Sequence, residues 1–293
     1  MYQRTAFQRL QDIAFRLRRD RARRKTPDLA GDTANHSSIS SSSAWVTLAG
    51  LAEDPDFDLD RFRRHPAVLQ IVETVGPTDG IHYAKLVSRH DSSLLSDERV
   101  TRVDDWGKPM RWPARLLGTP RSFAPTTLRY LATSLWLKAR GLVAEGSTII
   151  EIGVGFGGLA AMNHIISGSS THMVDLPPVE GLARRMVRET TGATPALSRD
   201  GAGAPDGFCL VSCYAFTELA AEVQDAYFER WIHPSGSGLI LSNARVFARS
   251  AGGRDDQALL SRLRDAGKKA RLLDDDELLA PTDHLHGNRL IVW

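Results

Sequence analysis

Residues 147–162, STIIEIGVGFGGLAAM, run an apolar strand-like stretch directly into four glycines and then into a helical pattern. Gly153 and Gly155 permit a tight turn on which a ligand can lie against bare backbone, and Gly157 and Gly158 open the next helix. Seventeen residues beyond Gly158, Asp175 closes a second apolar run, THMVDL, where a carboxylate can accept both hydroxyls of a ribose. A strand, a glycine turn, a helix, a second strand and an acidic end in this order mark a nucleoside-cofactor loop at the start of a parallel α/β domain.

Alternating helices and short apolar runs fill the rest of the chain, and such alternation makes a parallel sheet. The strands expected are 148–153, 171–176, 194–198, 207–212, 238–243, 269–273 and 288–293, with helices starting near Gly157, Pro178, Thr217 and Asp255. A further helix over 126–141 precedes the first strand. The fold class expected is α/β, a Rossmann-like doubly wound seven-stranded sheet with its last strand antiparallel and a helical extension at the N-terminus.

That extension divides by composition. Residues 1–25 carry nine Lys and Arg against two Asp, while the whole chain has a net charge of only +2. Phe7, Leu10, Ala14 and Leu17 recur at helical steps, so 1–28 reads as a basic amphipathic helix that packs on a partner, or touches an anionic membrane surface or nucleic acid. A targeting presequence is a minor reading of the same segment. Residues 29–43, rich in Ser, read as a flexible linker. Residues 44–125 read as a helical and irregular region, in which the Trp- and Pro-rich stretch 101–125 could close over substrate as a lid. Residues 126–293 form the cofactor domain. The stretch from Thr126 keeps all its chemistry in one domain, and a homo-oligomer is compatible with it.

No stretch reaches the roughly 18 consecutive apolar residues of a membrane span. No apolar core with a cleavage site follows the first residues, so a soluble cytoplasmic protein is expected. Cys209 and Cys213 are the only cysteines, which excludes a disulfide framework and makes a poor zinc site. The acidic run Asp274, Asp275, Asp276 and Glu277 reads as a solvated turn before a magnesium site.

Two cofactor classes fit the loop, because Gly153, Gly155 and Gly158 also satisfy the dinucleotide spacing. Glu151 discriminates between them. A pyrophosphate gains nothing from an acid two residues before the first glycine, whereas S-adenosylmethionine has no phosphate and brings a sulfonium and an amino group that a carboxylate attracts. The reading is therefore an S-adenosylmethionine-dependent methyltransferase. A nicotinamide-dependent oxidoreductase and a nucleic-acid methyltransferase steered by the basic arm are the alternatives.

The segments IIEIGVGFGGL, MVDLPPVEGLARR and SCYAFTEL, with Leu128, Arg129 and Tyr130 in the preceding helix, resemble the putative sugar O-methyltransferases over roughly residues 120–293. Phe156 stands where that family has tyrosine, and Cys213 where it has asparagine. The resemblance implies S-adenosylmethionine as cofactor and a sugar hydroxyl on a small molecule as methyl acceptor, with no nucleic acid and no essential metal. The cofactor contacts expected are Glu151, Gly153, Gly155, Phe156, Gly157, Asp175, Leu176 and Ser212. Ligands sit beyond the carboxyl ends of parallel strands, so the segment after GFCLVS supplies Glu218 as candidate general base and Tyr214 as a pocket residue. His284 in DHLHGN is a second candidate base.

Overall fold

The computed structural model describes residues 43–200 and 205–293, together with Ile13 and Leu17, which are helical and exposed. The basic helix expected over 1–28 and nearly all of the linker over 29–43 lie outside the described residues. The helices are α1 (Ser43–Glu53), α2 (Pro66–Ile71), α3 (Pro77–Asp91), α4 (Glu98–Asp105), α5 (Ala114–Leu117), α6 (Pro125–Ala139), α7 (Gly158–Ser167), α8 (Pro177–Thr191), α9 (Ala221–Tyr227), α10 (Ala244–Ala251), α11 (Asp256–Asp265) and α12 (Pro281–His286). Proline opens α2, α3, α6, α8 and α12, where its missing N–H costs nothing and its fixed φ suits the first turn.

Seven strands, β1 (Thr148–Ile152), β2 (Ser170–Val174), β3 (Ala196–Leu197), β4 (Cys209–Cys213), β5 (Ser237–Ser242), β6 (Arg271–Leu273) and β7 (Arg289–Val292), form one sheet in the order β3-β2-β1-β4-β5-β7-β6. β7 runs antiparallel to β5 and β6, and the other neighbours pair in parallel. Each expected strand is present within two or three residues of its expected ends. β1, β4 and β5 are buried along almost their whole length, as strands covered on both faces must be.

Alternation along β1 assigns its side chains to two cores. Ile150 and Ile152 face a core that includes Phe208, Trp231 and Leu259. Ile149 faces the other, which continues without a break into Trp45, Tyr83 and Leu86 of α1 and α3. The N-terminal helices are thus part of the same packed body: α1 lies along α8, and α3 along α6. Two buried arginines hold this arrangement. Arg185 of α8 donates to the carbonyls of Ala52 (2.9 Å) and Pro55 (3.0 Å), which satisfy the C-terminal end of α1. Arg63 pairs with Glu73, donates to Thr127 Oγ1 (3.1 Å), and lies 4.6 Å over the ring of Phe156.

The stretch 101–125, expected as an irregular segment laid over the domain that follows, is tied to its neighbours. Buried Asp104 accepts from Ala124 N (3.0 Å) and from Arg111 Nε (2.7 Å), Trp112 bridges to Phe123, and Trp106 packs on Phe62 and Phe156. These ties fasten the segment to α4, α6 and α7. Residues between Gln70 and Tyr83 cover the carboxyl edge of the sheet.

Arg63 is fully buried and its loss would strand the Glu73 carboxylate. Arg63→Ala is expected to lower unfolding stability by about 3–5 kcal/mol, read from urea denaturation, with the sheet's circular dichroism retained below the transition.

Candidate functional site

β1 ends at Ile152 and the chain turns at Gly153, whose φ is +81° and whose N–H donates to Val174 O at 2.9 Å. A Cβ at Gly153 would sit 2.0 Å from Cβ of Ala215, so glycine is required both for the turn and for the approach of the segment after β4. Gly157 (φ +92°) is the left-handed residue that opens α7, and a Cβ there would meet the Ala183 carbonyl at 2.8 Å. Asp175 clamps the turn from the end of β2. Its Oδ2 accepts from Val154 N (2.8 Å) and its Oδ1 from Leu176 N (2.7 Å). Each carboxylate oxygen has a second lone pair to offer, so the clamp leaves acceptor capacity for ligand hydroxyls. Burial pushes the Asp175 carboxyl up to about 6, against the pull of the N–H bonds from Leu176, Val154 and Gly155.

A cavity of about 530 Å³ opens above this loop at the carboxyl ends of β1, β2 and β4. Glu151, Gly153, Gly155, Asp175 and Leu176 line it, as the sequence leads one to expect. Glu151 is 3% exposed, and its Oε2 is buried without a hydrogen-bond partner among the described residues. Burial, with Asp175 nearby as a second cause, pushes its carboxyl up to about 8.

Three expected cofactor residues are placed elsewhere. Phe156 is fully buried between Trp106 and Tyr130, Gly157 packs against Ala183, and Ser212 ties the strands together by donating to Ile152 O (2.9 Å) and accepting from Phe216 N (3.1 Å). None of the three lines the cavity.

On the far wall Tyr214 adopts φ +72° and ψ −44°, a strained backbone for a bulky residue. Its N–H donates to Leu241 O (2.7 Å), and its phenol donates to Oδ1 of Asp283 at 2.8 Å. Tyr83 of α3 donates to the other carboxylate oxygen (3.4 Å), joined by Ala280 N (3.0 Å), while Asn288 Nδ2 donates to Oδ1 (2.8 Å). Arg129 of α6 lies 5.3 Å and 5.4 Å from the ring centres of Tyr130 and Tyr214, and its Nε has no partner. Glu218 also lines the cavity and accepts from Asn243 Nδ2 (2.7 Å), while Thr217 donates to Asn243 Oδ1 (2.6 Å). Burial raises the Glu218 carboxyl and the Asn243 bond pulls it the other way.

His284 is exposed and faces a separate, open groove with His82, Lys85 and Arg89, whereas His286 lines the cavity rim. The run 274–277 is partly structural: Asp276 accepts from Trp136 Nε1 (2.9 Å) and pairs with Arg140 (2.6 Å). Among the described residues no group of three His, Cys, Asp or Glu is placed to hold a metal. Sequence reasoning missed Asp283, Tyr83 and Asn288. Asp283 and Asn288 flank the histidines it singled out, and Tyr83 carries no local signal because it arrives from α3.

Fold and site together define a doubly wound α/β protein with a cavity at its glycine loop. The sequence matches no protein-family model and no curated protein. Solved structures do match. One is an S-adenosylmethionine-dependent methyltransferase from Aquifex aeolicus, with a TM-score of 0.42 and 15% identity over 67% of this chain and 95% of that one. A second is phosphoethanolamine N-methyltransferase 2 from Haemonchus contortus in complex with S-adenosylmethionine, with a TM-score of 0.39 and 20% identity over 48% of this chain. The match spans 38% of the Haemonchus enzyme's length. A third is an O-methyltransferase family protein from Burkholderia thailandensis, with a TM-score of 0.41 and 16% identity over 57% of this chain and 59% of that one.

Glu151 titrates near 8 when folded against an ordinary 4.5, so between those values the folded chain holds a proton that the unfolded chain has released. Unliganded stability is therefore expected to fall as pH rises from about 5 to 8, by on the order of a few kcal/mol. Glu151→Gln should flatten that slope in urea titrations run across the pH series. An unchanged slope would move its origin to another group.

Proposed function

We propose that the cavity binds S-adenosylmethionine and that the protein is a methyltransferase acting on a hydroxyl of a sugar or similar small polyhydroxylated molecule. The observation that carries the cofactor is Glu151, a carboxylate buried without a partner beside the glycine loop. In the unliganded chain burial keeps a proton on this carboxyl, and a cation beside it would stabilise the charged form instead. A nicotinamide dinucleotide would bring a pyrophosphate to the same place. The strand order also departs from the all-parallel 3-2-1-4-5-6 arrangement of dinucleotide domains through the reversed β7.

The residues present fit the cofactor group by group. Glu151 meets the amino and sulfonium end, Asp175 has lone pairs for the ribose hydroxyls, and the unpaired Arg129 Nε suits the methionyl carboxylate. When bound, S-adenosylmethionine supplies a methyl group to an acceptor oxygen and leaves as S-adenosylhomocysteine. Glu218 takes the hydroxyl proton, since burial raises its carboxyl and makes it a stronger base than an exposed carboxylate. Asn243 fixes the orientation of that carboxylate through a bond at 2.7 Å, and Thr217 fixes Asn243 in turn. Trp45 of α1, with Val72 and Val75 between α2 and α3, puts apolar surface on the cavity wall.

Calorimetric titration with S-adenosylmethionine, S-adenosylhomocysteine and NADH tests the cofactor. Binding of the two adenosyl ligands alone, weakened by Asp175→Ala, is expected, and NADH binding alone sinks the reading. Glu218→Gln should cut kcat by about 10²–10⁴ while leaving S-adenosylhomocysteine affinity unchanged.

A further inference from the structure

The half of the cavity away from the glycine loop is short of cations. Glu151, Asp175, Glu218 and Asp283 all line the cavity, Arg129 is the only Lys or Arg among its lining residues, and none of the four acids forms an ion pair among the described residues. The cofactor reading accounts for Glu151 and Asp175, and the proton-accepting role accounts for Glu218. Two acids remain: Asp79, which accepts from Thr282 N (3.0 Å), and Asp283, 4% exposed, which accepts four hydrogen bonds and forms no ion pair among the described residues.

Its neighbours are arranged as acceptors. Tyr214, Tyr83 and Asn288 Nδ2 all spend a donor on Asp283. A carboxylate can only accept, which fixes the Asn288 amide with its nitrogen toward Asp283 and its Oδ1 on the other side of the amide. That Oδ1 is buried without a partner in a side chain 6% exposed. Both phenol oxygens keep lone pairs free. This wall therefore offers two phenol oxygens and an amide oxygen, backed by a negative charge, to whatever lies against it. An ammonium group has three donors, no acceptor and the opposite charge. A phosphate or carboxylate would meet the Asp283 charge and lone pairs there, with Arg129, 5.4 Å from the Tyr214 ring, as the one Lys or Arg lining the cavity.

We propose that the methyl acceptor carries a protonated amine beside its hydroxyls, as an amino sugar does, and that Asp283, Tyr83, Tyr214 and Asn288 form the seat for that amine. The proposal rests on the methyltransferase reading, because it assigns the other end of the cavity to the cofactor. The strained backbone of Tyr214 has a role in it: the left-handed turn brings the phenol to Asp283 at the edge of the seat.

The test is calorimetry on the full chain saturated with S-adenosylhomocysteine, titrated with glucosamine, galactosamine, N-acetylglucosamine and glucosamine 6-phosphate. At least one free amine is expected to bind about tenfold or more tighter than the N-acetyl sugar, with the phosphate weakest. Asp283→Asn should erase the preference for the free amine, with S-adenosylhomocysteine affinity in the same variant reporting that the fold is intact. If that variant does not fold, the comparison among sugars on the native chain still decides. No binding of either amine, or equal or tighter binding of the acetylated or phosphorylated sugar, overturns the seat. Failure of S-adenosylhomocysteine itself to bind overturns the cofactor reading beneath it instead.

Discussion

Val154 and Leu176 each donate an amide proton to one oxygen of Asp175, and through that clamp the ends of β1 and β2 are held together around the glycine turn. The turn at Gly153 then lies so close to Ala215 that the segment after β4 can pass directly over it. Tyr214, at φ +72°, and Glu218 both belong to that segment. The position of the far wall is thus inherited from the glycine loop. A change that loosens the clamp would disturb both halves of the cavity at once.

The N-terminal helices share the burden of closing the site. Their apolar side chains join the core on one face of the sheet, and Tyr83 carries that packing to the edge of the cavity, where it reaches Asp283 about two hundred positions later in the chain. Arg63 and Arg185 are buried ties in the same body, so cofactor domain and helical extension form one packed unit. Its polar interior is uneven. Most buried charges outside the cavity are paired, as Arg63 is with Glu73 and Asp104 with Arg111, while those inside it are left for a ligand to answer.

Periodicity and glycine placement made the sheet and the cofactor loop legible, because both are local: a strand buried on two faces must be apolar, and a turn at φ +81° under a neighbouring Cβ must be glycine. Glu151 and Asp175 were readable for the same reason, being anchored at fixed offsets from that turn. Phe156 and Gly157 in the glycine loop and Ser212 at the end of β4 fall away from the cavity, since the chain direction at each, and not its proximity in sequence, decides where a side chain points. In the stretch 101–125, Trp106 packs against Phe62 and Phe156 while Trp112 bridges to Phe123.

The sequence by itself determined the alternating strands and helices of the doubly wound architecture and the acid-flanked glycine turn, which follow from short-range pattern and the stereochemistry of glycine. Only the tertiary structure decided that Glu151 Oε2 is buried without a partner, and that Tyr83, Tyr214, Asp283 and Asn288 meet on one wall. Those groups come from α3, the turn after β4, α12 and the start of β7, and hydrogen-bond satisfaction is a property of such distant encounters that no local stretch of sequence encodes.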